Sequence, residues 1–234
     1  MANILILGAG SMGTAFSFPC SDNNHTVSVI GTHLENDFIE KINLEKKHPI
    51  LDCNIPKGVR FSKIEKLKDE INKKVDLIVV AVISKGIEWA SVELSKVIKN
   101  NVPILILTKG LSIHDNNYEV LAHKMERLLK KNGIKETNIS AAGGPCLAKE
   151  LANKANTSVV FANENINVVE QISKLVSTDY YHIYTSNDVI GVETCAAIKN
   201  IFSMAVGASQ GLCDSTKSKE KNYLNTAAAL IQES

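Results

Sequence analysis

The sequence predicts an α/β fold built on a doubly wound, mostly parallel sheet, with the start of an all-helical C-terminal domain after it. Short apolar runs alternate with amphipathic helical stretches along most of the chain, which is the pattern of βαβ units. The first apolar run, Ile4 to Leu7, leads directly into Gly8-Ala9-Gly10-Ser11-Met12-Gly13. A glycine-rich turn between a first strand and a first helix is typical of the Rossmann type of this fold.

Each glycine of this turn has a separate use in a dinucleotide-binding site. Gly8 permits the tight turn, Gly10 lets the backbone approach a pyrophosphate, and Gly13 lets the helix pack closely on the strand. The unpaired N–H groups at the start of the helix then point at the phosphates. Any glycine-rich turn can match this pattern by chance, but its position after an apolar strand favours cofactor binding over a purely structural turn.

The second strand bears on the choice between NAD and NADP. We expect the first helix from about Thr14 to Asn23 and the strand from Thr26 to Ile30. An Asp or Glu at the end of this strand would accept the ribose 2′-OH of NAD, but here Gly31-Thr32-His33 follows. We therefore predict weak discrimination, with NADPH tolerated. His33 is either a contact to the cofactor's 2′-phosphate or an exposed loop histidine without a role.

Later strands point to the rest of the site. Two continuous apolar runs, 76–82 and 102–108, are followed by Ser84-Lys85 and by Lys109-Gly110, and function in such sheets gathers at the carboxyl ends of strands. Further strands are expected at 139–142, which leads into Gly143-Gly144-Pro145-Cys146, and at 158–162 and 182–185. Residues 189–208 are predicted to form a buried helix that opens a second domain. This divides the chain into a dinucleotide-binding domain, 1–188, and the beginning of a helical domain, 189–234.

Composition argues against several classes of partner. The 26 basic and 25 acidic side chains leave a net charge of +1, so no nucleic-acid or membrane partner is indicated. We expect no apolar run to reach the roughly 20 residues of a membrane span, and the N-terminus lacks the basic region of a signal peptide. The five cysteines are scattered without CxxC spacing, which suggests reduced thiols and no metal site. We expect a cytoplasmic protein.

Lys199 stands among apolar residues of the long predicted helix, between Ile198 and Ile201. In that setting a lysine either extends its ammonium group to solvent or is desolvated and equipped for proton transfer. The residue types alone favour the solvated lysine.

Five motifs occur in a fixed order along the chain: Gly8 to Ala15, Leu107-Thr108-Lys109-Gly110-Leu111, Gly144-Pro145-Cys146-Leu147-Ala148-Lys149-Glu150, Tyr184 to Glu193, and Ala197-Ile198-Lys199-Asn200. This series resembles the bacterial NAD(P)-dependent glycerol-3-phosphate dehydrogenase family. The resemblance runs through nearly the whole chain, and its last two motifs are far more specific than the glycine turn.

This resemblance implies the interconversion of dihydroxyacetone phosphate and sn-glycerol 3-phosphate, with NAD or NADP as cofactor and no metal. Lys199 falls on the position of the family's general acid/base, and Lys109 on a lysine that contacts both cofactor and substrate. The remaining positions fall on substrate contacts, Gly144, Cys146 and Asn200, and on cofactor contacts, Gly8, Gly10, Ser11, Met12, Gly13, His33 and Ala148. The partner is thus a small molecule, and a homodimer is compatible with the resemblance.

The chain departs from the family pattern at several of these positions. Cys146 and Leu147 replace a Ser or Thr followed by Phe, which weakens a hydroxyl hydrogen bond. Cys146 is either a plain substitution or a reactive thiol, and no nearby motif supplies the base that a reactive thiol needs. Thr32 stands where a basic residue often contacts the 2′-phosphate of NADP.

The largest departure lies at the C-terminus. An extra charged stretch, Asp214 to Asn222, includes Lys217, Lys219 and Lys221 and precedes a family-like helix start, 225–231. The family continues for about another hundred residues, which carry its arginine-bearing phosphate site. The chain is therefore interpreted as truncated, either as a fragment or as a shortened relative. Three hypotheses follow: a dehydrogenase of this family, a nucleotide-binding module with little or no turnover, or a related dehydrogenase for another small hydroxy acid.

Overall fold

A computed structural model describes residues 1–98 and 102–215 of the 234-residue chain. The strands are β1 Asn3–Leu7, β2 Thr26–Ile30, β3 Lys47–His48, β4 Cys53–Asn54, β5 Val59–Ser62, β6 Leu77–Val80, β7 Ile104–Ile106, β8 Leu111–His114, β9 Asn117–Val120, β10 Ile139–Gly143, β11 Thr157–Ala162 and β12 Tyr181–Ser186. The helices are α1 Ser11–Asp22, α2 Asn36–Glu45, α3 Leu67–Ile71, α4 Ile87–Ser95, α5 Leu121–Lys131, α6 Ala148–Ala152, α7 Ile166–Val176 and α8 Val189–Ser215.

Eight of the strands form one central sheet in the order β12-β11-β10-β7-β6-β1-β2-β5. Every neighbouring pair is parallel except β10 and β11, so the last two strands run against the other six. The predicted mostly parallel α/β sheet is confirmed. Its one antiparallel step was not predicted, because a short apolar run reads the same in either direction.

Helices cover both faces of the sheet, which explains why its inner strands are apolar throughout. Ile4 and Ile6 of β1 face the side that carries α1, α2, α6 and α7. Leu5 and Leu7 face the side that carries α3, α4 and α5 and the start of α8. Successive side chains of a strand point to opposite faces, so a strand buried on both faces needs a continuous apolar sequence.

Helix α1 begins at Ser11, three residues before the predicted start. Gly10, in extended conformation, is the N-cap residue, so the third glycine of the turn lies inside the first helical turn. Its packing is very close. A Cβ atom added to Gly13 would lie 2.1 Å from the carbonyl oxygen of Gly8 and 3.1 Å from the Cβ of Ala81.

Helix α8 starts at the predicted residue but is not the buried helix that was expected. Ile201 and Met204 are 60% and 70% exposed, whereas Val189 and Ala196 are buried against the sheet. The apolar composition therefore does not mark burial on all sides. It reflects one packed face and a second apolar face open to solvent.

The expectation that no segment reaches the length of a membrane span is also corrected. Val189–Ser209 is long and apolar enough to cross a bilayer by length and composition, with a mean hydropathy of 1.4. One such helix is weak evidence, since core helices and signal sequences pass the same test, but only 17% of this segment is buried. In this structure α8 packs along β10 and β11.

Several C-terminal predictions lie outside the described residues. They concern residues 216–222 of the charged stretch, with Lys217, Lys219 and Lys221, and the helix start at 225–231. The proposed division between residues 188 and 189 coincides with the start of α8 and stays a prediction.

Glu193 attaches α8 to the sheet domain. Its buried carboxylate accepts a hydrogen bond of 2.8 Å from the backbone N–H of Ala122, in the first turn of α5. Burial raises the pKa of this carboxyl group from its ordinary value of 4.5 to about 7, against the opposing effect of the backbone N–H groups of Ala122 and Leu121. This contact could not be predicted from the sequence, since a glutamate on a helix is usually solvated.

Glu193 should make stability depend on pH. The folded state retains a proton that the unfolded state has released, so the free energy of unfolding should fall as the pH rises from about 4.5 to about 7, by up to about 3 kcal/mol. Glu193→Gln, which keeps an oxygen for the Ala122 N–H, should remove this fall. Urea unfolding at a series of pH values measures it, with Glu170→Gln on the exposed face of α7 as control. Parallel pH profiles for all three proteins would contradict the assignment.

The two glycines Gly13 and Gly207 should respond in opposite ways to alanine. Gly13→Ala should destabilise the fold by at least about 2 kcal/mol, because the added methyl group meets a backbone carbonyl. At Gly207, in α8, an added Cβ has nothing within 4 Å among the described residues, so Gly207→Ala should stabilise by roughly 0.5–1 kcal/mol through helix propensity. Thermal unfolding of both variants checks this, and a neutral Gly13→Ala would show that the close contact is not rigid.

Candidate active site

The predicted site residues lie in loops that follow the carboxyl ends of the parallel strands. Strands β1, β2, β6, β7 and β10 share one direction, so the loops after them meet at one edge of the sheet. The glycine turn follows β1, Lys109 follows β7, and Gly144 follows β10. Ligands in open α/β sheets bind at this edge.

The other two glycines of the turn differ in the space around them: Gly8 is tightly packed, like Gly13, whereas Gly10 is open. Gly8 has φ of +113° and its N–H donates to the carbonyl of Ile30 at 2.8 Å. An added Cβ there would lie 2.6 Å from the carbonyl oxygen of Ala81. At Gly10 the nearest atom to an added Cβ is Oε1 of Glu35, 3.7 Å away. Space over Gly10 is thus free for a ligand, and the protein itself does not require glycine there.

The N-terminus of α1 supplies the anion-binding part of the turn. The first intrahelical hydrogen bond runs from the Thr14 N–H to the carbonyl of Gly10 at 3.0 Å. The N–H groups of Ser11, Met12 and Gly13 precede it and have no intrahelical acceptor. Together with the helix dipole they suit a pyrophosphate, so the residues present fit a dinucleotide.

Beside the turn lies a mostly apolar cavity of about 410 Å³. Its walls come from the glycine turn, the loop after β2 and the start of α4. His33 and Trp89 line it, with ring centroids 5.3 Å apart. A mostly apolar cavity with two aromatic rings in its wall, next to an anion-binding turn, suits the adenosine half of a dinucleotide.

Glu35 lies beside the glycine turn, and the sequence patterns do not single it out. Its Oε2 accepts hydrogen bonds from the N–H of Thr32 at 2.7 Å and the N–H of Ala9 at 3.2 Å, and its carboxylate lines the apolar cavity. The residues that directly follow β2, Gly31-Thr32-His33, carry no carboxylate, but the fold brings one close to them. The acid comes from the N-cap position of α2, five residues beyond the strand, so a search at the strand end alone does not find it.

A second group of predicted residues is brought together after β7 and β10. The Nζ of Lys109 donates to the carbonyl of Gly144 at 2.7 Å. The pKa of Lys109 is lowered, first by burial and then by the neighbouring ammonium group of Lys199. Burial raises the pKa of the Cys146 thiol, although both lysines oppose the effect. Lys109, Cys146 and Lys199 therefore act on one another electrostatically.

The direction of α8 explains how Lys199 reaches this group. Because β11 and β12 run against the other strands, α8 begins at the amino edge of the sheet, where Val189 lies in a cavity with Ile139 at the start of β10. Ten residues of helix then rise about 15 Å. Gly143, at the end of β10, faces Val192 and Ala196 of α8, and Lys199 lies one turn farther along that face.

Other predicted residues have less direct support. Asn200 is exposed on α8, and Ala148 is the half-buried first residue of α6, which packs against α1. His33 is exposed beside Trp89. Their roles as substrate or cofactor contacts stay predictions. A cavity of about 450 Å³ lies between the loop after β10 and α8 and is lined by Gly144, Asp188 and Lys199.

A parallel sheet whose first strand turns through glycines into an open helix N-terminus, next to a cavity for adenosine, defines a dinucleotide-binding domain of the Rossmann class. Residues 3–169 match the family model described as the NAD-dependent glycerol-3-phosphate dehydrogenase N-terminus. The chain belongs to this family.

Similar proteins agree with this assignment. The chain is 29% identical over 216 residues to a glycerol-3-phosphate dehydrogenase [NAD(P)+] of an Exiguobacterium species, covering 91% of this chain and 60% of the relative. It is 28% identical to an NADP(+)-dependent glycerol-3-phosphate dehydrogenase of Archaeoglobus fulgidus, covering 89% and 60%. The crystal structure of glycerol-3-phosphate dehydrogenase from Coxiella burnetii superposes with a TM-score of 0.76 at 25% identity, covering 99% and 65%. The chain thus spans about 60% of the length of the curated relatives it matches.

Gly10→Val should separate cofactor binding from folding. The valine fills the open space over the turn, so affinity for NADH and NADPH should fall by at least about tenfold. Thermal stability should change little, because an added Cβ meets nothing closer than 3.7 Å. Fluorescence or calorimetric titration measures the affinities. Unchanged affinity in a folded variant would make the turn purely structural.

Proposed function

We propose that this protein is the dinucleotide-binding and acid/base part of an NAD(P)-dependent sn-glycerol-3-phosphate dehydrogenase, which interconverts dihydroxyacetone phosphate and sn-glycerol 3-phosphate. The observation that carries the proposal is the meeting of Lys109 and Lys199 beside Gly144 at the carboxyl edge of the sheet. Two lysines from distant parts of the sequence converge next to the predicted dinucleotide site, as a reaction at that site requires.

Lys199 serves as general acid in the direction of reduction. A bound nicotinamide supplies or accepts the hydride at C2 of the substrate. The ammonium group of Lys199 donates its proton to the oxygen at C2, and takes the proton back when the alcohol is oxidised. The orientation of α8, fixed by the close contact of Val192 with Gly143 and by the Glu193 hydrogen bond, holds this group at the substrate side.

Lys109 provides a second positive charge at the same place. Its hydrogen bond to the Gly144 carbonyl fixes the Nζ position, and burial leaves the charge poorly solvated. Two neighbouring ammonium groups repel each other, so an anionic substrate or a developing oxyanion between them relieves the repulsion. We therefore assign Lys109 the role of electrostatic partner to Lys199.

Cys146 contributes packing and polarity rather than a nucleophile. Its thiol is buried and its pKa is raised, which disfavours the thiolate that covalent chemistry needs. Of the two interpretations of this residue, the proposal adopts plain substitution at a substrate-binding position.

The remaining assignments follow from the proposed reaction. The substrate is a small phosphorylated molecule, the cofactor is free to diffuse, and the overall charge of the chain is nearly balanced. We propose a cytoplasmic location without a nucleic-acid or membrane partner, and we leave a homodimer as the assembly to test by light scattering.

Lys199→Met should lower the rate of dihydroxyacetone phosphate reduction by on the order of 10²-fold or more, with affinity for the dinucleotide unchanged, because only the proton donor is lost. Lys174→Met, which removes an exposed charge on α7, is the matched control. The assay follows the oxidation of NADH and NADPH, in the 234-residue chain and in the product of the complete reading frame that contains it.

Two results would contradict the proposal. Cofactor binding without oxidation in either protein would favour a nucleotide-binding module. Full activity of Lys199→Met would remove Lys199 from the mechanism.

A further inference from the structure

We propose that Glu35 accepts a hydrogen bond from the adenosine ribose and gives this protein a preference for NAD(H) over NADP(H). This inference rests on the proposed function in one respect, that a nicotinamide dinucleotide binds at the glycine turn. The names of the relatives do not decide the matter, because they include both NAD(P)+ and NADP(+)-dependent enzymes.

The two oxygens of the Glu35 carboxylate have different surroundings. Oε2 is held by two backbone N–H groups, those of Ala9 and Thr32, so the side chain is fixed across the gap between the glycine turn and the loop after β2. Oε1 lies 3.7 Å from the position of an added Gly10 Cβ. Within residues 1–98 and 102–215, Oε1 has no hydrogen-bond donor. Oε1 of Glu35 is therefore available to accept a hydrogen bond from a ligand bound over Gly10.

The adenosine ribose of a bound dinucleotide is expected to lie beside Oε1 of Glu35. A pyrophosphate at the N-terminus of α1 lies over Gly10, and the adenine is then directed into the cavity beside Trp89. The ribose joins the two, next to Gly10 and Glu35. An ionised carboxylate only accepts hydrogen bonds, and the 2′- and 3′-hydroxyl groups of NAD can donate them.

The charge of Glu35 disfavours a 2′-phosphate at the same point. In the part of the chain that the structure describes, no Lys, Arg or His forms an ion pair with Glu35. Its neighbour in the loop, Thr32, is neutral, and Lys85, which also lines the cavity, is exposed to solvent. The buried His48 also interacts electrostatically with this carboxylate, but burial lowers the pKa of His48 and so favours its neutral imidazole. A phosphate brought to a partly buried carboxylate that forms no ion pair meets like-charge repulsion.

Glu35→Gln tests the charge while keeping the shape. The amide oxygen can still accept from the Ala9 and Thr32 N–H groups, so the turn keeps its support. Dissociation constants for NADH and NADPH are measured by titration for the wild-type chain, Glu35→Gln and the control Glu40→Gln, which removes the partner of Lys63 on the same helix but away from the cavity. We expect the wild-type chain to bind NADH at least about tenfold more tightly than NADPH, and Glu35→Gln to reduce this ratio by about tenfold. Glu40→Gln should leave the ratio unchanged.

Thr32→Arg provides a second variant that leaves the carboxylate in place. An arginine beside Glu35 should neutralise its charge and contact a 2′-phosphate, raising the affinity for NADPH with little effect on NADH. This result supports the proposal even if Glu35→Gln proves unstable. A wild-type preference for NADPH, or a ratio that neither variant changes, overturns the role of Glu35 while leaving the proposed function standing. Failure of the wild-type chain to bind either cofactor overturns both.

Discussion

The close contact between Gly13 and the carbonyl of Gly8 is the constraint on which the cofactor side of the site depends. It brings the first turn of α1 against the end of β1, so that the N–H groups of Ser11 and Met12 lie at the edge of the sheet. Ala9, between Gly8 and Gly10, forms a hydrogen bond through each of its backbone polar groups. Its carbonyl accepts from the Thr14 hydroxyl at 3.0 Å, and its N–H donates to Glu35. The turn is therefore rigid before any ligand binds, which limits the entropy lost on binding.

The two ends of the site have opposite charge. Glu35 places a carboxylate beside the adenosine cavity, whereas Lys109 and Lys199 place two ammonium groups on the substrate side. Between them the helix N-terminus favours the pyrophosphate. A dinucleotide with hydroxyl groups at one end and an anionic substrate at the other matches this distribution. The positive charge is supplied where the proposed chemistry develops negative charge.

Much of this arrangement could be predicted from the sequence because it depends on local rules. The glycine turn, the strand 26–30 and the continuous apolar runs each follow from neighbouring residues. Glu35 and Glu193 could not be found in this way, because each acts through a backbone N–H that only the folded chain brings near. The burial of α8 was misjudged for a related reason: composition shows that a helix is apolar but not which of its faces meets the sheet. Nor does the sequence of β11 show that it runs against β10.

Because of that reversal of strand direction, α8 starts at the amino edge of the sheet, and its length determines where Lys199 lies at the carboxyl edge. Val189 lies near the start of β10, and Val192 and Ala196 pack against Gly143 at its end. Lys199 shares the face of that contact because it follows Val192 by seven residues, close to two turns. One residue inserted or removed between them would rotate Lys199 by about 100° around the helix axis and shift it by about 1.5 Å. The segment of α8 from Val192 to Lys199 should therefore tolerate changes of side chain far better than changes of length.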